Sequence, residues 1–220
     1  MIKNLGLIPR RADLTRAAFR DHYEMRHAPL ALRHLRCFRR YVRNHVVAAT
    51  PAEPPFDALS EFWYDDERDI ESVVALLNSP AGEVLREDEA RFMDRSGVRI
   101  IRVDEELLFG PARATEPGVV AKDALLLHRA PGISATAFRA DVAQLCAALL
   151  APRSTGFVRL ELDLPVVPDE GPLACDAVLT AWPDGSGQPA FDSLPERPGI
   201  AAVTRLRLES IATPPELLRD

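Results

Sequence analysis

Lysine is nearly absent from this 220-residue chain: Lys3 and Lys122 are the only two among 27 basic residues. Neither follows a motif, and both stand where a first strand would begin. A Schiff-base lysine is therefore not expected. Cysteine is equally sparse, with Cys37, Cys146 and Cys175. An odd number without framework spacing gives neither a disulfide scaffold nor a zinc pattern, and suits buried thiols in a reducing compartment. No apolar run approaches the roughly 20 residues of a membrane span. The opening stretch, MIKNLGLIPRR, is too short in its apolar part for a secretory signal. A cytoplasmic protein with no membrane contact is expected. Net charge is -6, which argues against nucleic acid, because phosphate binding needs a basic stripe. There is no glycine-rich phosphate loop and no nucleophile elbow.

What is present is an internal repeat. LGLIPRRADLTRAAFRDHYE resembles LLLHRAPGISATAFRADVAQ, and FDALSEFWYDD resembles CDAVLTAWPDG. Phe19 pairs with Phe138, an offset of 119 (138 − 19), and the same offset relates Lys3 to Lys122, Phe38 to Phe157, Asp57 to Asp176 and Trp63 to Trp182. Repeated matches at one spacing point to duplication. The chain then divides into residues 1–110 and 119–220, joined by GPARATEPG, which is rich in Gly and Pro and has no apolar period.

Within the first half, residues 2–9 read as a strand. DLT at 13–15 opens a helix, with Asp13 or Thr15 available to cap it. The helical pattern runs to about His27, where Pro29 should interrupt it. Residues 37–48 and 56–64 read as strands by their period of two. A helical region over 67–94 is broken near SPAG at 79–82, and 98–108 is a final strand. The order βαββαβ is the split ferredoxin-like arrangement, an antiparallel sheet with both helices on one face. The bare faces of two such sheets can close an α+β barrel within one chain. On the second strand, Tyr41, Arg43 and His45 are assigned to the barrel interior, and Phe38, Val42 and Val46 to the helix side.

The second half keeps the fold but loses most of the second helix: SGQPAFDSLPERPG at 186–199 has three prolines. It also loses polar groups. His27 becomes Cys146, Tyr41 becomes Leu160, His45 becomes Leu164 and Glu61 becomes Thr180, while Asn44 becomes Asp163. One functional site in the first half and a scaffold role for the second follow; neutral drift in a structural pair is the alternative.

EMRHAPL at 24–30, YVRNHV at 41–46, FDALSEFWYDD at 56–66, SPAG at 79–82 and EDEARFMD at 87–94 together resemble the EthD family of dimeric α+β barrel proteins. The resemblance covers residues 1–109, with the second half similar to a degenerate member. It implies a barrel made by two sheets, and an activity among dehydratases, cyclases, decarboxylases or isomerases of aromatic or polyketide-like compounds. The wider class includes cofactor-free monooxygenases and haem proteins.

The reading that combines both is an enzyme without cofactor or metal, acting on a small aromatic or polyketide-like molecule by proton transfer, in a dehydration, cyclisation or isomerisation. His27 and His45 are the candidate acid/base pair, because imidazole titrates near neutral pH. Glu61 and Asp57 complete the candidate catalytic set, although their spacing along one strand, roughly 13 Å, excludes a close dyad. Tyr23, Tyr41, Asn44, Trp63, Arg91 and Phe92 are the candidate substrate contacts. Each has a plainer alternative. His27 suits a helix C-terminus, Asp57 is retained as Asp176, the tryptophans suit a core, and EDEAR suits a solvated helix face. The alternatives for the whole chain are a binding protein without turnover, and a cofactor-free or haem-linked oxygenase. A further homodimer through the outer strands is compatible with the sequence.

Overall fold

The computed structural model describes every residue except 114, 115, 117, 152–155, 167–174, 187–189, 192, 193, 219 and 220. Parts of GPARATEPG and of SGQPAFDSLPERPG therefore lie outside the described residues. Eight antiparallel strands form one closed barrel. The first half supplies β1 (Ile2–Ile8), β2 (Arg40–Thr50), β3 (Ala58–Tyr64) and β4 (Arg99–Phe109). The second supplies β5 (Val119–Arg129), β6 (Phe157–Pro165), β7 (Ala177–Pro183) and β8 (Ile200–Ala212). Each half has the ferredoxin-like strand order, β4-β1-β3-β2 and β8-β5-β7-β6. The sheets join edge to edge, β2 with β8 and β4 with β6, so the barrel has no free strand edge to aggregate.

The registers carry the repeat. Leu5 faces Glu61, and Ala124 faces Thr180. Arg40 faces Trp63, and Arg159 faces Trp182. Every member of these pairs is shifted by the same 119 positions (124 − 5). On the last strand the spacing changes: Lys3 faces Val103 while Lys122 faces Leu208, a shift of 105 (208 − 103). The second half is thus 14 residues (119 − 105) shorter between its third and fourth strands, where the first half has its second helical region.

Local signals explain the helices. Thr15 accepts from the Ala18 N–H at 3.1 Å and starts α1 (Arg16–His22). Its counterpart Ser134 accepts from Ala137 at 3.2 Å and starts α5 (Ala135–Leu150). Each satisfies a donor that the first turn leaves unpaired. Pro29 does not end the first helix. A π-helical segment, Tyr23–His27, follows α1, and α2 (Ala28–His34) continues from it with the proline in its first turn. The Ala28 N–H bonds the Tyr23 carbonyl in the π-turn just before it, and proline's fixed φ suits the first turn of the helix that follows. The 67–94 region is α3 (Glu67–Asn78), a short 3-10 turn at Pro80–Gly82, and α4 (Glu83–Phe92).

Apolar side chains collect in three places. Inside the barrel, Leu5, Leu7, Val46, Leu59, Leu126 and Leu208 fill one end. Outside the first sheet, Phe19, Tyr23, Phe38, Tyr41, Tyr64 and Phe92 pack under the helices. Outside the second, Phe138, Val142, Leu145, Leu160 and Leu179 pack under α5. The faces of β2 are the reverse of the sequence expectation. Val46 lies inside with the barrel core, where Asn44 reaches Glu61. Tyr41 and His45 lie on the helix side, against Phe38 or against Phe19 and Tyr23; Phe38, just before the strand, is on the helix side as expected. Both faces of β2 are buried, so alternation separates the two sets without telling which is interior.

Candidate active site

The barrel interior is packed with side chains, as eight-stranded barrels tend to be. Its polar end is filled by buried ion pairs. Lys3 Nζ lies 2.8 Å from Asp163, 2.5 Å from Glu105 and 3.5 Å from Glu61. Burial works to raise the Glu61 carboxyl, but Arg113, Lys3 and Lys122 hold it well below the usual range. Glu61 therefore stays a carboxylate counter-ion. Asn44 Nδ2 donates to it at 2.7 Å, and Trp63 lies under Lys3 at 4.7 Å.

A cavity of about 330 Å³ lies instead between the first sheet and its helices. Its lining is mostly apolar, including Ile8, Leu35, Phe38, Phe62, Leu85 and Met93. The rings of Tyr41 and Phe62 stack at 5.1 Å, with Phe38 5.4 Å from Tyr41. Exposed Val74, Arg95 and Ile100 stand at its rim. The polar groups facing it are few: Tyr23, His27, Tyr41, Tyr64, Glu89 and Arg95. An apolar chamber with a few converging polar groups is the usual form of a small-molecule site.

The π-helical segment places the central residues. A π-bulge shifts the side-chain register by one position and occurs frequently at functional sites. Here it carries Tyr23, Glu24 and His27, whereas the equivalent positions in the second half, Val142, Ala143 and Cys146, lie in regular α-helix. His27 Nδ1 lies 3.0 Å from Asp88 Oδ2 on α4, and His22 Nε2 lies 3.0 Å from the other carboxylate oxygen. Hydrogen bonds from His27 and His22 hold the Asp88 carboxyl below its ordinary value, against burial. With Nδ1 engaged by a carboxylate, Nε2 of His27 is the nitrogen left for proton transfer; among the described residues it makes no hydrogen bond. Glu89, next along α4, is pushed up by burial and pairs with Arg95 at 3.1 Å.

Two further networks back the cavity. Tyr41 donates to the Tyr23 oxygen at 3.2 Å, and Tyr23 bonds Ser60 Oγ at 2.9 Å. Burial raises both phenols, so they stay protonated donors at neutral pH. Glu24 receives His45 Nε2 at 2.6 Å and Arg43 at 2.9 Å. Burial works to raise the Glu24 carboxyl, but those two partners bring it below its ordinary value.

The expected site residues are thus divided. His27, Tyr23 and Tyr41 line one cavity. Phe92 stacks behind it, 4.9 Å from His27 and 4.8 Å from His22. His45 stands outside that lining, edge-on to Tyr23 at 5.7 Å and committed to Glu24. Glu61, Asn44 and Trp63 are on the other face of the sheet. Asp57 immediately precedes β3, beside the end of β1, where it accepts from the Arg10 N–H at 3.1 Å and from Arg16 at 2.9 Å. Asp176 accepts from the Arg129 N–H at 2.8 Å in the same way, so this aspartate serves the turn in both halves. Arg91 is exposed on α4. Asp88, Glu89 and Glu24 were not among the candidates. EDEAR reads as a charged helix face, and the pattern does not reveal that α4 turns Asp88 inward toward two histidines. Among the described residues no three His, Cys, Asp or Glu side chains gather as metal ligands, and no helix is long and apolar enough to cross a membrane.

Comparison with known proteins agrees with this architecture. The EthD domain family matches residues 11–96, a span that holds the π-segment, Asp88 and most of the cavity wall. An anthrone oxidase-like protein of known structure superposes with a TM-score of 0.56 at 10% identity, over 96% of this chain and 92% of its own. A Fusobacterium nucleatum protein named as a monooxygenase superposes at 0.51 and 9% identity, over 95% of this chain and 91% of its own. At these identities the likeness is one of fold. No curated protein matches the sequence.

Proposed function

We propose that this EthD-domain protein is an enzyme that removes a proton from a small, largely apolar aromatic compound, with His27 as the base. The observation that carries the reading is the Asp88–His27 pair at the wall of an otherwise apolar chamber. A carboxylate on Nδ1 fixes the tautomer, orients the ring and stabilises the imidazolium once the proton arrives. The chamber has about twice the ~150 Å³ that accepts benzene, which suits two or three fused rings. Phe38, Tyr41 and Phe62 supply faces on which such rings stack. Tyr41 ends a hydrogen-bond chain through Tyr23 to Ser60, and its oxygen can still accept from a substrate hydroxyl.

Loss of a proton next to a carbonyl or on a phenol begins dehydration, cyclisation and isomerisation alike. It also begins cofactor-free oxygenation, in which the resulting electron-rich anion meets dioxygen. The anthrone oxidase-like neighbour makes anthrone a suitable probe of the shared step. Exchange of its ring methylene protons for deuterium, followed by NMR without oxygen, isolates proton removal from later chemistry. The wild-type chain should accelerate exchange, and His27→Gln should lower that rate about 10²- to 10⁴-fold. An unaccelerated wild type across anthrones and naphthols would leave a binding protein without turnover.

A further inference from the structure

Both tryptophans of the chain, Trp63 and Trp182, sit at the polar end of the barrel, far from His27 in the fold and on the opposite face of the sheet. Between them lies Arg113, from the segment that joins β4 to β5. Its guanidinium carbon is 5.2 Å from the ring centre of Trp63 and 4.9 Å from that of Trp182. Nη1 is 2.6 Å from Glu61 Oε2, and Nη2 is 3.1 Å from Glu161 Oε2. Two aromatic faces and two carboxylates around a planar cation make an aromatic cage, with both terminal nitrogens donating to Glu61.

The walls come from the strands alone. Glu61 and Trp63 are on β3, Glu161 on β6 and Trp182 on β7. Most of their other partners are strand residues as well. Lys3 and Lys122 approach Glu61 at 3.5 and 3.9 Å, Arg159 binds Glu161, and Lys122 lies 4.5 Å over Trp182. The joining segment supplies the occupant, and Glu116 closes over it by bonding Trp182 Nε1 and pairing with Lys122 at 3.5 Å. Arg113 does not fit its seat completely. Its side chain is 4% exposed, yet Nε, the nitrogen that tethers it to the chain, is buried without a hydrogen-bond partner. The cage bonds the two terminal nitrogens and leaves the tether, and Glu161 Oε2 on the wall, without a hydrogen bond.

We propose that this end of the barrel is a binding site for small alkylguanidinium compounds, occupied in the resting chain by its own Arg113. Because the two tryptophans are the only ones, fluorescence excited at the red edge, where tyrosine does not absorb, reports on this site. The experiment titrates wild type and Arg113→Ala with methylguanidinium in the millimolar range, with urea as the neutral planar control. Arg113→Ala should give a saturable change in fluorescence, and urea none. In the wild type a tethered competitor at millimolar effective concentration should shift the midpoint up about tenfold or more. No saturable response in Arg113→Ala, an equal response to urea, or a wild type that saturates as readily as the variant would each overturn the assignment. Should Arg113→Ala not fold alone, its refolding yield is read in methylguanidinium against urea: rescue by the cation only supports the cage, and equal yields refute it.

Discussion

Nδ1 of His27 and Oδ2 of Asp88 stand 3.0 Å apart although 61 positions separate them in the chain. The contact ties the π-helical segment to α4 across the cavity's wall. In the proposed reaction it makes Asp88 the positioning residue for the proposed base, His27. In Asp88→Asn the amide presents a different donor pattern to Nδ1, and the wrong tautomer is favoured. Turnover or proton exchange should fall about 10²-fold or more, with substrate affinity changed little. Kinetics that separate kcat from KM check this.

The same residue sets a pH dependence. Its carboxyl is held below the ordinary value in the folded chain by His27 and His22. The unfolded chain therefore binds the proton more readily, and folding gains stability above the unfolded value of about 3.9. That gain disappears as pH falls through the lower, folded value. Asp88→Asn should be less stable than wild type at neutral pH, and the difference should shrink below about pH 4. Melting temperatures across pH 2.5 to 7 read it; a constant difference would remove Asp88 from the acid response.

The second half shows how to close the cavity. Ala31 lines it, and its counterpart at the 119 offset is Leu150. Ala31→Leu should weaken binding of a bicyclic phenol about tenfold or more by occupying ring space, and leave the melting temperature unchanged or higher. Calorimetric titration beside a thermal melt measures both.

The Glu24 network offers a stability test of the same kind. Glu24→Ala alone leaves Arg43 and His45 buried without their carboxylate and should cost about 3–5 kcal/mol. The triple variant Glu24→Ala, Arg43→Leu, His45→Leu installs the second half's Ala143, Leu162 and Leu164. It should recover most of that loss, because an apolar replacement leaves no unpaired charge. Urea denaturation compares the two; a triple variant no more stable than the single would show that the site cannot be repacked this way.

The sequence made the duplication legible because the letters that recur at 119 are those the fold needs at matching places. Phe19 and Phe138 fill the two outer cores, and Asp57 and Asp176 bind matching turns. The strand order followed from the pattern of one half. Which face of β2 is interior did not follow, since a strand buried on both sides alternates between two buried sets. Tyr41 and His45 were therefore separated from Glu61 and Trp63 only in the structure. Pro29 reads as a stop because the π-segment before it has no marker in composition. Asp88 and Glu89 stayed hidden in EDEAR, where the sequence gives charge but not the direction in which α4 faces. Arg113 lay in a segment that reads as a plain linker, and its seat is built by strands from both halves.

The central claim is that ligand binds outside the barrel, between the helices and the first sheet. A crystal structure with 2-naphthol bound tests it most directly. The fused ring should lie between Phe38 and Leu85, with its hydroxyl within hydrogen-bond reach of His27 or Tyr41. Ring density inside the barrel beside Trp63 and Trp182, or none in the His27 cavity, would contradict it.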